Sequence, residues 1–314
     1  MSEVGVHTSS FSPWPHRLAV ILACATFPLL FIGGLVTSLG AGLAVPDWPT
    51  TFGYNMFLYP WAKMVGGIFY EHSHRLVASS VGLLTIALAL TFWFHEKRQW
   101  LRWLGLAALF LVILQGVLGG LRVVLLQHTL AIIHACVAQA FFALTVSLAL
   151  FTSAEWRGPA LDAANADGRR LRRLSTITTA LIYLQIVFGA LLRHTGERLD
   201  AHLLIAGLVT IHVILVLSRV MRAHANQAKL LRPGYFLGLL LLLQLMIGAI
   251  SYFGKFTVML RWPNDAIVLL TTVHLITGAL MLATSSVITL RAYRLSASTA
   301  APTAAKVLAE QYSV

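Results

Sequence analysis

Eight long apolar stretches decide what this chain can fold into. A helix needs about 20 consecutive apolar residues to cross the hydrocarbon core of a bilayer. Segments of that kind lie at 18–39, 71–94, 102–125, 129–151, 174–193, 200–221, 234–253 and 265–290. Of the 314 residues, 58% are hydrophobic and only 11% are charged, whereas soluble domains carry roughly 25% charged residues. The sequence therefore predicts an all-α membrane protein with eight transmembrane helices, and it excludes a soluble enzyme, a disordered chain and a fibrous repeat.

The basic residues are concentrated on one side of these segments. A formal net charge of +12 would point to a nucleic-acid partner in a soluble protein. Here most of the 23 Lys and Arg residues precede an odd-numbered span or follow an even-numbered one, which marks the cytoplasmic side. We therefore expect both termini in the cytoplasm, membrane lipid around the spans and no nucleic-acid partner. The polar leader before the first span is short and contains little Arg, which favours a bacterial inner membrane over an organelle.

A polar segment and a repeated motif divide the chain into halves. The segment 153–173 predicts a cytoplasmic linker between an N-terminal four-helix bundle, 1–152, and a C-terminal one, 174–314. The motif LQxxxG occurs as "LQGVLGG" from Leu114, "LQIVFGA" from Leu184 and "LQLMIGA" from Leu243, and "LLFIGGL" from Leu29 resembles it without the Gln. Close helix packing explains amide and small residues on one helix face, whereas duplication explains their repetition. The repeat predicts two pseudo-symmetric bundles.

Two further features concern the outer loop and the cysteines. The loop 40–70 is the only long outer connection and is rich in Trp, Tyr and Pro, so it either anchors the membrane interface or covers a site as a lid. Cys24 and Cys136 both lie inside apolar runs. A disulfide framework or a CxxC metal site is therefore not expected.

Twelve histidines are unusual in so apolar a chain. The even-numbered spans or their outer ends contain His72, His74, His128, His134, His202, His212 and His274. A single imidazole in a span is often only an interhelical hydrogen-bonding contact, but ionisable groups there are by default functional. Two facing imidazoles hold a haem iron from both sides, while a closed zinc site needs four ligands and usually includes Cys or carboxylate. The pattern therefore favours haem.

The segment "EHSHR" places a carboxylate beside one of these histidines. At helical spacing Glu71, His74 and Arg75 share one face, and His72 points nearly opposite. Glu71 has two interpretations. It either pairs with Arg75 or stabilises the start of the helix, or it relays protons and stabilises developing positive charge as a partly buried acid.

The residues named so far resemble haem A synthases of bacterial and mitochondrial membranes. The resemblance extends over nearly the whole chain, through "GGLVTSLGAGLAVPDWP", "EHSHRLVAS", "LQGVLGGLRVV", "LAIIHACVAQ", "GALLRHTG", "LDAHLLIAG" and "TTVHLITGALMLA". It implies two pseudo-symmetric four-helix bundles, of which the N-terminal one receives haem O as substrate and the C-terminal one carries haem b as cofactor. The implied reaction oxidises a porphyrin methyl group to formyl and gives haem A for terminal oxidases.

The resemblance also implies roles for individual residues. His74 and His134 would flank the iron of the substrate haem, His202 and His274 would ligate haem b, and Glu71 matches the family's essential acidic residue. Near the outer ends, Arg75 would pair with the substrate haem and Arg193 with the cofactor, because guanidinium matches a propionate carboxylate. Arg198 has the same interpretation, and interfacial anchoring is the alternative for all three.

The chain departs from the family pattern in two places. The loop 40–70 lacks the cysteine pair of many bacterial members, and the outer connection after "RHTG" is short. A second question is where oxygen enters, because two histidine ligands leave no open position on the substrate iron. Either one ligand dissociates, or electrons are drawn from the porphyrin and water attacks afterwards.

Two other functions are compatible with the same residues. One is a non-catalytic bis-His dihaem electron carrier, and the other is a polytopic assembly or transport protein with structural histidines. For the synthase, the expected partners besides haem O are the haem O synthase that precedes it and a membrane or soluble electron carrier.

Overall fold

The computed structural model describes residues 12–158, 167–256 and 262–298, and these are almost entirely helical. The helices are α1 (Trp14–Ser38), α2 (Gly67–His95), α3 (Gln99–Leu125), α4 (His128–Thr152), α5 (Ala154–Arg157), α6 (Asp167–Thr195), α7 (Leu199–Ala223), α8 (Ala228–Phe256) and α9 (Asn264–Ser298). Within the described ranges, eight of them are long and apolar enough to cross a membrane. The predicted all-α membrane protein with eight spans is confirmed.

Several helices are longer than the apolar runs that predicted them. Helix α2 begins at Gly67 rather than at 71, and α9 continues to Ser298 rather than ending at 290. Helix α6 begins at Asp167, inside the segment 153–173 predicted as a linker. Hydropathy detects only the part of a helix in hydrocarbon, whereas Arg and Leu continue a helix readily into the polar layer.

The remainder of the predicted linker contacts the C-terminal half. Residues 159–166 lie outside the described part of the chain. Before them, the hydroxyl of Ser153 accepts a hydrogen bond from Trp156 N and caps α5. Glu155 of α5 forms an ion pair with Arg291 of α9 at 2.9 Å. The start of this segment is therefore attached to α9.

Short connections place odd-numbered and even-numbered spans side by side. Helices α3 and α4 are joined by Leu126 and Gln127 alone, and Leu126 adopts a left-handed conformation with φ of 53°. Helices α6 and α7 are joined by 196–198, where Gly196 has φ of 78°. Connections of this length force consecutive helices to run antiparallel in direct contact.

Each half forms a ring of packed helices. In the N-terminal half α1 packs on α2, α2 on α3, α3 on α4 and α4 on α1; in the C-terminal half α6, α7, α8 and α9 pack in the same cyclic order. The halves meet where α9 contacts α1 and α4, around Leu30, Phe142, Ile276, Ala279 and Ala283. In lipid such contacts are held by close van der Waals packing. The domain limits and a pseudo-twofold relation between the halves remain predictions.

Candidate functional site

Four histidine rings lie against glycines of the helix that precedes them. The pairs are His74 with Gly33, His134 with Gly119, His202 with Gly189, and His274 with Gly248. A Cβ atom on each glycine would stand 3.0 or 3.3 Å from the ring Cε1, closer than ordinary van der Waals contact. The glycines of the repeated motif therefore make room for imidazole rings, and this explains their recurrence better than helix packing in general.

The two C-terminal rings face each other. The ring centres of His202 and His274 are 6.4 Å apart, with an angle of 61° between the ring planes. Metal–imidazole bonds are about 2.0–2.1 Å long, so two nitrogens on opposite sides of one ion stand about 4 Å apart. Because the ring centres lie farther apart than the nitrogens that would bind the ion, a ring-centre separation of 6.4 Å is compatible with one metal ion between the rings. The Nδ1 atom of His274 is buried and has no hydrogen-bond partner.

The two N-terminal rings have similar surroundings. His74 and His134 are close enough to interact electrostatically, and Nδ1 of each is buried without a hydrogen-bond partner. Both rings are nevertheless only half-buried, so their exposed surface lies away from Nδ1. A ring held in this way has its other nitrogen available to a ligand.

The glutamines of the repeated motif contact the same histidines. The amide nitrogen of Gln185 is 3.1 Å from Nδ1 and 3.2 Å from Nε2 of His202. That of Gln244 is 3.2 Å from Nε2 of His274. Gln115 instead donates to the backbone carbonyl of His134 at 3.1 Å.

Glu71 is buried and both of its oxygens are bound. Arg75 donates to Oε1 at 2.7 Å, and the backbone N–H of Val45 donates to Oε2 at 2.9 Å. Arg75 also donates to the carbonyl oxygens of Val45, Asp47 and Thr50. The ion pair that the i, i+4 spacing predicts is therefore present. The hydrogen bonds of its two side chains with Val45, Asp47 and Thr50 attach the outer loop to α2. The catalytic role of Glu71 remains a prediction.

The outer loop lies over the N-terminal half. Thr51 Oγ1 is 3.1 Å from Nδ1 of the buried His72, and the Tyr59 ring centre is 5.1 Å from that of His72. Trp48 packs so closely on α3 that a Cβ at Gly120 would overlap its ring. Other aromatic residues of the loop, such as Trp61 at 78% exposure, point outward. The loop thus both covers the half and presents aromatic residues at its surface.

Arg193 connects the two halves. Its guanidinium donates to the carbonyls of Thr271 at 3.2 Å and Gly34 at 2.7 Å, and to Ser38 Oγ at 2.5 Å. Its donors are therefore bound to protein oxygens of α9 and α1. Arg198 is exposed at the start of α7.

Arg122 is a candidate that the sequence analysis missed. It lies in the last turn of α3, where its guanidinium packs on the backbone of Gly42 in the outer loop. Among the described residues it has no hydrogen bond or ion pair, and its nearest electrostatic neighbours include Glu71, His74 and His134. The signal was its position three residues after Gly119, which places both on one helix face.

Neither His128 nor His212 is among the nearest neighbours of a glycine in the described part of the chain. His128 is exposed at the start of α4, and the half-buried His212 contacts its own helix at the Leu208 carbonyl. Within residues 12–158, 167–256 and 262–298, no three His, Cys, Asp or Glu side chains converge as a metal site. The donor set is thus two pairs of imidazoles rather than a zinc cluster.

Comparison with known proteins places the chain in a family. The family model for the cytochrome oxidase assembly protein, COX15-CtaA, matches residues 16–202. The chain belongs to this family. The matched region includes Glu71, His74, His134 and His202, whereas His274 lies beyond it.

Three curated relatives are each named heme A synthase. That of Shouchella clausii is 32% identical over 186 residues, which are 58% of this chain and 60% of the relative. That of Alkalihalophilus pseudofirmus is 28% identical over 184 residues, with 58% and 60% covered. That of Lysinibacillus sphaericus is 30% identical over 187 residues, with 58% covered on both sides. The match therefore spans about three fifths of the length of these family members.

Proposed function

We propose that this protein is a haem A synthase that oxidises a methyl group of haem O to formyl. The observation that carries the proposal is the set of four histidines whose rings lie against glycines. They form one pair in each half of a chain of this family. The names of its relatives support the same activity. The reaction is pictured as two successive hydroxylations of the methyl carbon followed by loss of water.

The C-terminal pair is the proposed site of the resident cofactor, haem b. Its donor set suits haem, because it consists of two imidazoles whose ring centres are 6.4 Å apart and because His274 has a buried Nδ1 available to donate a hydrogen bond. His202 and His274 would be its ligands. When bound, haem b would supply one-electron transfer, while the protein fixes the ligand rings and excludes water from them.

The N-terminal pair is the proposed site of the substrate. His74 and His134 would bind the iron of haem O, and Glu71, held in place by Arg75 and Val45, would be the catalytic carboxylate beside them. Arg122 has the donors available for a propionate, whereas the donors of Arg75 and Arg193 are bound to protein oxygens. We therefore assign the propionate contact of the substrate to Arg122.

The wider arrangement belongs to the same proposal. The N-terminal half, 1–152, would bind substrate, and the C-terminal half, 174–314, would bind the cofactor. Both termini would face the cytoplasm of a bacterium. The partners would be a haem O synthase that supplies substrate and a membrane or soluble carrier that accepts electrons.

The test is expression in cells that make haem O, followed by chromatography of the extracted haems. Haem A should appear with the wild-type protein. Its absence while the protein is folded and loaded with haem would contradict the synthase.

A dihaem electron carrier is the alternative function, because two bis-histidine haems suffice for it. Glu71→Ala separates the two. A synthase should lose conversion and keep its haem spectra, whereas a carrier has no conversion to lose. A purified, folded protein without a Soret band would exclude both.

A further inference from the structure

The four places where a histidine ring lies against a glycine, the histidine seats, are not equivalent. In three of them the glycine follows a glutamine by four residues, one helical turn, as in Gln115 with Gly119. In the fourth, the corresponding position before Gly33 is Leu29. Three rings therefore have an amide on the neighbouring helix, and His74 has an apolar side chain there instead.

The three glutamine amides contact the histidines and have unused hydrogen-bonding capacity. The Oε1 atoms of Gln115, Gln185 and Gln244 are all buried and have no hydrogen-bond partner. Among the histidines next to them, His134 and His274 have a buried Nδ1 in the same condition. Buried polar atoms of this kind normally find partners. The amide nitrogens lie on different atoms: that of Gln115 on the backbone carbonyl of His134, that of Gln244 on Nε2 of His274, and that of Gln185 near both ring nitrogens of His202.

Metal ligation explains what they are for. A histidine that binds iron through Nε2 carries its proton on Nδ1, and such ligands almost always donate that proton to a nearby oxygen, which fixes the ring orientation. A half-turn of an amide exchanges its oxygen and nitrogen. For Gln185 this exchange puts Oε1 at the position now 3.1 Å from Nδ1 of His202.

His74 has no such partner. Its Nδ1 is buried without a hydrogen bond, as are those of His134 and His274, but Leu29 stands in place of the glutamine and packs into the apolar core of the N-terminal half. We propose that Gln185, through the His202 ring, and Gln115, through the backbone carbonyl of His134, are positioning residues for fixed iron ligands, and that His74 is the exchangeable ligand of the substrate iron. The proposal rests on the haem A synthase function given above.

This asymmetry selects between the two routes left open by the ligand count. His74 would be the ligand that leaves the substrate iron, because its neighbouring helix has Leu29 at the position where Gln115 contacts His134. His74 and Glu71 both lie on α2, so the departing ligand and the carboxylate would belong to the same helix. His134 would stay bound.

The first test concerns the resident haem and is read as its reduction potential. Gln185→Leu removes the acceptor, so the potential should rise and the haem affinity should fall about 10- to 100-fold. Gln185→Glu supplies a stronger acceptor, so the potential should fall. Gln139→Leu is the matched control, because Gln139 is buried with an unpartnered Oε1 and has no histidine contact among the described residues. Unchanged potentials in both Gln185 variants would overturn the proposal.

The second test uses carbon monoxide as a probe of reduced protein loaded with haem O. The wild-type substrate haem should bind it, Leu29→Gln should bind it about 10-fold more weakly, and Leu29→Met should match the wild type. Should Leu29→Gln fail to fold, Gln115→Leu is expected to bind carbon monoxide more tightly because it loosens His134. Equal binding by wild type, Leu29→Gln and Gln115→Leu would disprove the exchange. Failure of the wild type to take up either haem would instead contradict the proposed function.

Discussion

At the scale of single residues, the arginines of the outer end differ in what their donors already bind. Arg75 and Arg193 looked equally suited to a haem propionate in the sequence, yet both donate to several protein oxygens. A guanidinium in that position stabilises the fold and has little capacity left for a ligand. Arg122 has its donors free of hydrogen bonds to the described residues and lies in electrostatic range of Glu71 and His74.

We predict that Arg122→Leu weakens haem O binding about 10- to 100-fold. A hydrogen bond to a charged group contributes about 1.5–3 kcal/mol, and about 1.4 kcal/mol corresponds to a factor of ten. The measurement is KM for haem O, with unchanged haem b content as evidence that the fold is intact. Arg198→Leu, at an exposed arginine, is the control, and an equal effect there would refute the assignment.

At the scale of elements, the contact between an odd-numbered helix and the next even-numbered one is the repeating unit. Each unit consists of a glycine and the imidazole that it accommodates. The glycine is required by space and not by backbone conformation, because these residues are helical. This makes the effect of an added methyl group predictable from the distance to the ring.

Gly189→Ala and Gly248→Ala should both reduce haem b content. The new methyl groups would stand 3.3 and 3.0 Å from the rings of His202 and His274, so the rings must shift and Gly248→Ala should be the more severe. Gly116→Ala and Gly207→Ala place a methyl group in open space. Since Ala is favoured over Gly in a helix by about 1 kcal/mol, these controls should be neutral or stabilising. Haem content per protein is the measurement. Equal loss in all four variants would contradict the claim that Gly189 and Gly248 make room for the histidine rings.

The outer loop has an acid-sensitive turn at Asp47. Burial raises the pKa of its carboxyl, but hydrogen bonds from Gly53 N, Thr50 Oγ1 and Phe52 N outweigh it and hold the pKa below its ordinary value. A depressed native pKa gives stability that is present above the unfolded pKa of about 3.9. That stability is lost as the pH falls through the native pKa.

We therefore expect the loop to become more accessible to pepsin below about pH 4 in the wild type. Asp47→Asn should be cleaved readily at the start of the titration and should show little further change. Comparing the two proteins at each pH removes the pH dependence of the protease itself. Parallel cleavage profiles would show that Asp47 does not hold the turn.

Sequence patterns revealed the elements better than their contacts. Hydropathy predicted the spans, because each needs only a run of apolar residues. The candidate histidines were recognisable because they lie on even-numbered spans or at their outer ends. The true start of α6 did not follow, because Asp167 and the arginines after it are polar. Spacing placed Gln185 and Gly189 on one face without showing which ring they meet. Arg122 was missed because only the packing of α3 on the loop distinguishes it from other interfacial arginines.

At the scale of the whole molecule, the two halves are joined through polar contacts as well as apolar packing. Arg193 reaches from α6 to α1 and α9, and Ser38 of α1 lies 3.1 Å from Thr271 Oγ1 and 3.2 Å from Thr272 Oγ1 of α9. These contacts stand close to both proposed haem sites. They help to fix the distance between the halves.

Arg193→Ala should lower the thermal stability of the detergent-solubilised protein. The substitution removes a half-buried charged group together with its three hydrogen bonds, each contributing about 1.5–3 kcal/mol. Arg193→Lys should be intermediate, because a lysine keeps the charge without the planar arrangement of donors. The midpoint of unfolding is the measurement. An unchanged midpoint in the Ala variant would mean that Arg193 does not hold the halves together.

The central claim is that imidazoles from α7 and α9 meet around one iron porphyrin. The most direct test is the haem b content and absorption spectrum of purified single-alanine variants. We predict that the wild type carries six-coordinate haem b, that changing His202 or His274 removes it, and that changing His72, His128 or His212 leaves it in place. Equal loss from all five positions, or a folded wild-type protein without haem, would contradict the account.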